Sequence, residues 1–63
     1  MDKKIQLIYA DLGDVWLHTE TLISQLQQQG YSWEESYQAV NDAVKSGELV
    51  GSSGNDGFYR LNN

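Results

Sequence analysis

The chain is 63 residues long, contains no cysteine and carries nine acidic against four basic side chains, for a net charge of −5 at pH 7. This length predicts one domain spanning 1–63 with a thin core, and the lack of cysteine excludes disulfides and thiolate metal sites. The apolar runs are far shorter than the roughly 20 residues that cross a bilayer, so we expect a cytoplasmic protein with no membrane partner.

The first predicted element is a helix that Asp2 caps and that runs through about Leu12. Gly13 follows as a helix stop. This helix has an apolar stripe with i, i+3, i+4, i+7 spacing, formed by Ile5, Ile8, Tyr9 and Leu12. With Leu7 beside it, the stripe is wider than a small core needs, so helix 1 could also pair with a second copy in a twofold homodimer.

Residues 15–18 are rich in strand formers and predict a short strand or extended link. A second helix is expected to begin at Thr19 as its N-cap, with Glu20 favourably placed in the first turn. Gly30 is expected to end this helix. Its predicted buried face is formed by Leu22, Ile23 and Leu26.

The third helix has the clearest local signal in the chain, because Ser32 and Glu35 match the S-x-x-E capping box. Gly47 is expected to end it. Trp33 and Tyr37, together with Trp16 before the second helix, are expected in the core or at its edge. The predicted apolar stripe of the third helix is Trp33, Tyr37, Val40 and Val44, with Ala43 beside it.

After the third helix the pattern changes to two strands, 48–50 and 58–61, joined by the glycine-rich loop 52–57. In the second strand, Tyr59 and Leu61 share one face, and Phe58 and Arg60 share the other. These elements predict an α+β, mainly α fold with three helices, a short strand after the first helix and a C-terminal hairpin.

This order of elements resembles the winged helix-turn-helix superfamily, in which the pair of helices around Gly30 is followed by a hairpin wing. The resemblance implies that the third helix is the recognition helix, which lies in the major groove when such a protein binds DNA, and that the wing touches the DNA backbone. The positions it places toward a partner are Glu34, Glu35, Gln38, Asn41, Asp42, Lys45, Asn55 and Asp56.

The charge of these positions conflicts with DNA binding. Gln38 and Asn41 could read adenine edges and Lys45 could meet a phosphate, but two adjacent glutamates stand at the start of the recognition helix and mostly repel a duplex. The loop 52–57 contains no lysine or arginine, whereas binding DNA requires several cations on one face. The available cations, spread along the chain, are Lys3, Lys4, Lys45 and Arg60.

No residue pattern predicts a catalytic, cofactor or metal site. His18 is the single histidine and has no nucleophile motif or i, i+4 histidine partner around it. Glu34 and Glu35 point about 100° apart on a helix, so they cannot flank one substrate. The loop 52–57 lacks both the phosphate-binding lysine signature and the spacing of a calcium loop. We therefore expect a protein that is not an enzyme.

Two functional hypotheses follow from the sequence. The first is a small regulator that binds a basic protein surface through the acidic face of its third helix, and that could act as a DNA mimic or inhibitor. The alternative is a DNA-binding transcriptional regulator of the winged helix-turn-helix type, acting as a dimer. Clustered cations favour the alternative, and scattered cations favour the first. Exposure of Trp33 or Tyr31 would also favour a protein contact.

Overall fold

A computed structural model describes residues 3–54 and 56–62. It has the predicted α+β, mainly α architecture in a winged-helix layout, in which three helices pack on a small antiparallel sheet. The elements are α1 (Lys4–Leu12), β1 (Leu17–His18), α2 (Thr19–Gln28), α3 (Trp33–Ser46), β2 (Leu49–Gly51) and β3 (Phe58–Leu61).

The sheet has the strand order β1-β3-β2, so β3 is central and both its neighbours run antiparallel to it. Tyr59 lies opposite Leu17 in β1 and opposite Gly51 in β2. The strands differ slightly from the prediction. The first begins only at Leu17 rather than at 15, because the chain makes a turn there in which the Val15 N–H donates to the Gly13 carbonyl. The second begins and ends one residue later than 48–50.

The core lies between the three helices and one face of the sheet. Tyr59 and Leu61 pack against it from β3, which confirms that they share the inner face. Leu12, predicted for the buried stripe of α1, is exposed instead, as is Leu7, and a dimer through α1 stays a prediction. The buried apolar residues are Ile5, Ile8, Tyr9, Leu22, Ile23, Leu26, Ala39, Val40, Ala43 and Leu49.

Most helix ends follow the sequence signals. The Gly13 N–H donates to the Tyr9 carbonyl at 2.8 Å and closes α1. Gly47 is the C-cap of α3, and the Ser32–Glu35 capping box is present at its start. Asp2, the expected cap of α1, lies outside the described residues, and the N-cap of this helix is Lys3, whose side chain makes no capping hydrogen bond.

The start of α2 corrects one prediction, because its N-cap is His18 and not Thr19. The His18 Nδ1 accepts the Glu20 N–H at 3.1 Å. Thr19 is already the first helical residue, and its N–H and hydroxyl both donate to the Gly57 carbonyl, at 2.8 and 3.1 Å. These bonds fasten the end of the wing loop to the start of α2, a tertiary role that the local pattern of Thr19 does not reveal.

The buried face of α3 also differs from the predicted one. Trp33 and Tyr37 remain 54% and 45% exposed, and Val44 is also at the surface. Val40 belongs to two overlapping helical stripes, and the stripe that enters the core is the one with small side chains, which let neighbouring helices approach closely. The buried positions of α3 are Ser36, Ala39, Val40 and Ala43.

Candidate protein-contact surface on helix α3

The first part of the candidate surface is an open groove of about 460 Å³ beside the N-terminal half of α3. Its acidic wall follows from helical geometry, because positions three, four and seven apart lie on one side of a helix. The structure thus brings together half of the predicted partner-binding residues, and it adds two residues from elsewhere. The polar and aromatic lining consists of Lys4, Tyr31, Glu34, Glu35, Gln38 and Asp42.

Glu35 has a structural task in addition to its place in this groove. Its carboxylate accepts the Ser32 N–H at 2.9 Å, while the Ser32 hydroxyl accepts the Glu35 N–H at 3.1 Å. The hydrogen bond from the Ser32 backbone is the main cause that lowers the pKa of Glu35, followed by the bond to the Ser32 side chain and the nearby positive charge of Lys4. The charged carboxylate of Glu35 therefore stabilises the start of α3 through the capping box.

The other predicted residues divide between this groove and other places. Gln38 donates from Nε2 to the Asp42 carboxylate at 2.9 Å, so its amide is engaged within the helix. Asn41 is half-buried and Lys45 is exposed in the last turn of α3; neither lines the groove. Asp56 is exposed on the wing beside Gly57 and is also outside it. Asn55 lies outside the described residues.

The second part of the surface is an exposed aromatic pair on the flank of α3. The rings of Trp33 and Tyr37 stack with their centroids 5.2 Å apart and their planes within 7° of parallel. This geometry arises because the two residues are four apart on one helix. Val44 continues the same flank toward the C-terminus. Exposed aromatic side chains of this kind are typical anchors in protein interfaces.

The basic residues lie on several elements. Lys3 and Lys4 are at the start of α1, and Lys45 is in the last turn of α3. The Lys4 ammonium lies 5.0 Å from the centre of the Tyr31 ring at the groove.

Arg60 on β3 is paired within the chain. Its guanidinium donates to the Asp14 carboxylate at 3.0 Å and lies 5.3 Å from the centre of the Trp16 ring. Trp16, predicted for the core or its edge, is 43% exposed, so this prediction was wrong. The ring instead lies against the Arg60 guanidinium, on the surface of the protein, beside the ion pair that this guanidinium forms with Asp14.

His18 has a structural role at the start of α2. It caps α2, and its ring meets Phe58 edge-on at 5.0 Å between centroids. Within residues 3–54 and 56–62, no three histidine or carboxylate side chains gather as a metal site would require.

Sequence reasoning missed the stacked pair of Trp33 and Tyr37, which it placed in the core or at its edge, and the groove residue Lys4. It named Trp33 and Tyr31 only as residues whose exposure would favour a protein contact. One signal was present, since Ser36, Ala39 and Ala43 form a small-residue stripe at helical spacing that competes with the aromatic one. The position of Lys4 beside α3 depends on tertiary packing and has no local signal, whereas Tyr31 directly precedes Ser32, the N-cap of α3.

No family model matches the chain, and no significant match is found among curated proteins or among solved structures. None of the helices in the described part of the chain is long and apolar enough to span a membrane.

Proposed function

We propose that this chain is a non-enzymatic protein-binding module that docks through the exposed side of α3 onto a basic surface of a partner protein. The observation that carries this proposal is the exposed Trp33–Tyr37 stack on the same helix as the acidic groove wall. Aromatic anchors supply the apolar contact area, and the flanking carboxylates select a positively charged partner.

Leaving these two rings in water has a free-energy cost that burial would recover. Burying a large apolar side chain is worth about 1.5–3 kcal/mol, and a chain with a thin core gains most from such burial. A partner that covers Trp33 and Tyr37 would provide it. The exposed flank is therefore better suited to a protein contact than to permanent exposure.

The charges of the chain support a basic partner. The groove wall contains Glu34, Glu35 and Asp42, and the whole chain has a net charge of −5. Opposite charges on the two proteins would steer their encounter, and salt would weaken it. A partner whose basic surface normally holds nucleic acid fits this description, in which case the chain would compete with nucleic acid as a DNA mimic.

The winged-helix layout favours a second candidate, a DNA-binding regulator. The charges argue against it. Arg60 is paired with Asp14, and the groove on the recognition helix is lined by three carboxylates. A duplex would meet like charge at the position where this family reads bases. Fold similarity alone is a weak argument for function, so DNA binding is an outcome for the experiments to detect.

A charge-reversal experiment tests the proposed surface. Glu34→Lys with Asp42→Lys reverses the acidic wall but leaves the Glu35 capping box intact. The matched control is Asp11→Lys with Glu20→Lys, which reverses two exposed acids on α1 and α2. In both pairs one acid lies in the first turn of a helix, and both pairs bring the net charge from −5 to −1, since each change adds two positive units.

The readout is the fluorescence anisotropy of a short labelled peptide of mixed lysine and arginine. We expect the double variant Glu34→Lys with Asp42→Lys to weaken binding by tenfold or more. Each ion pair with the peptide that the reversal removes contributes on the order of 1 kcal/mol. The control pair should change binding far less. Equal weakening by both pairs would mean that only the net charge matters, and the α3 surface would not be the contact.

A further inference from the structure

Trp16, Arg60 and Asp14 show how this chain holds a guanidinium at its surface. The Arg60 guanidinium lies 5.3 Å from the centre of the Trp16 ring, and the Asp14 carboxylate accepts from its Nη2 at 3.0 Å. The aromatic ring provides a planar face for the cation, and the carboxylate accepts one of its N–H groups. An indole and a carboxylate thus contact one arginine side chain together at this place.

The N-terminal half of α3 contains the same two acceptors. Trp33 and Tyr37 stack on each other, so each ring keeps its other face turned away from its stacking partner. Glu34 lies three positions before Tyr37, and such positions are neighbours on a helix surface, about 5–6 Å apart at their Cβ atoms. In residues 3–54 and 56–62, the rings that carry a cation from the chain itself are Trp16 and Tyr31.

We propose that the flank of α3 formed by Trp33, Glu34 and Tyr37 binds an arginine side chain of the partner protein. The guanidinium stacks on an outer face of the aromatic pair, and the Glu34 carboxylate accepts its N–H groups. This inference rests on the proposed function and specifies the chemistry of the partner, which presents arginine at the centre of its contact.

Arginine suits this flank better than lysine does. A guanidinium is planar and weakly hydrated, so it stacks on a ring while it donates two parallel N–H groups to a carboxylate. An ammonium is compact and strongly hydrated, and it cannot do both in one plane. Glu34 is exposed and does not belong to the capping box, so its carboxylate is available for this contact.

The test compares an oligoarginine and an oligolysine peptide of equal length and charge, each carrying the same fluorescent label. Titration with the full-length protein gives the two dissociation constants by anisotropy. We expect the arginine peptide to bind about two- to fivefold more tightly, which corresponds to one exposed cation–π contact. Trp33→Leu with Tyr37→Leu should abolish this preference, and Glu34→Gln should reduce it.

The control variant is Trp16→Leu, which removes another exposed indole, 43% against 54% exposed for Trp33, and should leave the preference unchanged. Circular dichroism checks that each variant keeps the fold, as expected for surface residues. Equal affinity for the two peptides, or a preference that survives the loss of both α3 rings, would overturn the arginine site while the proposed function stands. If neither peptide binds, both proposals fail together.

Discussion

Gly57 is the wing residue that accepts hydrogen bonds from the start of α2. Its carbonyl accepts both hydrogen bonds from Thr19, and its φ of +86° lies in the left-handed region that favours glycine. A Cβ at this position would lie 3.2 Å from the His18 Nε2. The His18 ring has little freedom to retreat, because it caps α2 with Nδ1 and also contacts Phe58.

We therefore expect Gly57→Ala to destabilise the fold by more than its backbone conformation alone requires. Gly54→Ala is the matched control, because its φ of +91° is similar and no atom lies within 4 Å of its added Cβ. The control should cost on the order of 1–2 kcal/mol of unfolding free energy, and Gly57→Ala measurably more. Urea denaturation followed by circular dichroism provides both values. Equal losses would show that the contact with His18 is unimportant.

Tyr9 connects α1 to the sheet through its hydroxyl, which donates to the Tyr59 carbonyl at 2.6 Å. Burial, and then the negative charge of Asp14, raise the pKa of Tyr9 from 10.0 to about 12. Because the folded pKa lies above the unfolded one, the contribution of this group to stability is complete below pH 10 and is lost as the pH rises through about 12.

Tyr9→Phe should lower the unfolding free energy by about 1 kcal/mol at neutral pH, because the hydrogen bond to Tyr59 is removed. It should also make stability fall less steeply above pH 10 than in the wild type. Tyr37→Phe is the control, since it removes a hydroxyl from an exposed ring. Denaturation curves at several pH values test both statements. An unchanged alkaline slope in Tyr9→Phe would contradict them.

At the scale of the elements, the capping box decides how α3 begins. Ser32→Ala removes the side-chain acceptor for the Glu35 N–H, and such a loss costs about 1 kcal/mol. The pKa of Glu35 is lowered from 4.5 in the folded state, so its contribution is present above that pH and is lost as the pH falls through the lower folded value.

Glu35→Gln separates the geometry of the cap from its charge, because glutamine also fits the capping box. We expect this variant to unfold with a weaker acid dependence than the wild type below about pH 4.5. Thermal unfolding between neutral and acid pH measures this dependence in both proteins. An identical acid dependence in Glu35→Gln and the wild type would contradict this role.

The helices and strands were predictable where local chemistry decides them. The capping box of Ser32 and Glu35 predicts the start of α3, and Gly47 predicts its end. Strand β3 has the predicted bounds 58–61. The His18 cap was not predictable, because Thr19 is the more usual capping residue. The Thr19 hydroxyl instead donates to the carbonyl of Gly57, 38 positions further along the chain. Such distant bonds override local preference.

The buried face of α3 was predicted wrongly for a related reason. Val40 fits both the aromatic stripe and the small-residue stripe, so periodicity alone does not choose between them. The large apolar area of Trp33 favours its burial, whereas close packing between helices favours the burial of the small residues Ala39 and Ala43. Ala39 and Ala43 are the buried ones, so close packing decides which face of α3 enters the core. The acidic half of the surface was predictable from helical spacing, and the aromatic half required the tertiary structure.

At the scale of the whole molecule, the fold and the charge indicate different partners. The winged-helix layout is typical of DNA-binding proteins, whereas the acidic groove and the paired Arg60 favour a basic protein surface. We expect binding of a basic peptide to weaken steeply as salt rises, since the exposed charges are screened over about 8–10 Å. The same protein should not bind a DNA duplex at physiological salt.

The most direct test of the α3 surface is nuclear magnetic resonance of the isotope-labelled protein during titration with a short basic peptide, and separately with a mixed-sequence DNA duplex. With the peptide, we expect chemical-shift changes on the exposed side of α3, at the Trp33 indole and at Glu34, Tyr37 and Gln38, and no changes with the duplex. Shifts that follow the duplex, or peptide shifts spread evenly over acids such as Asp11 and Glu20, would contradict the account.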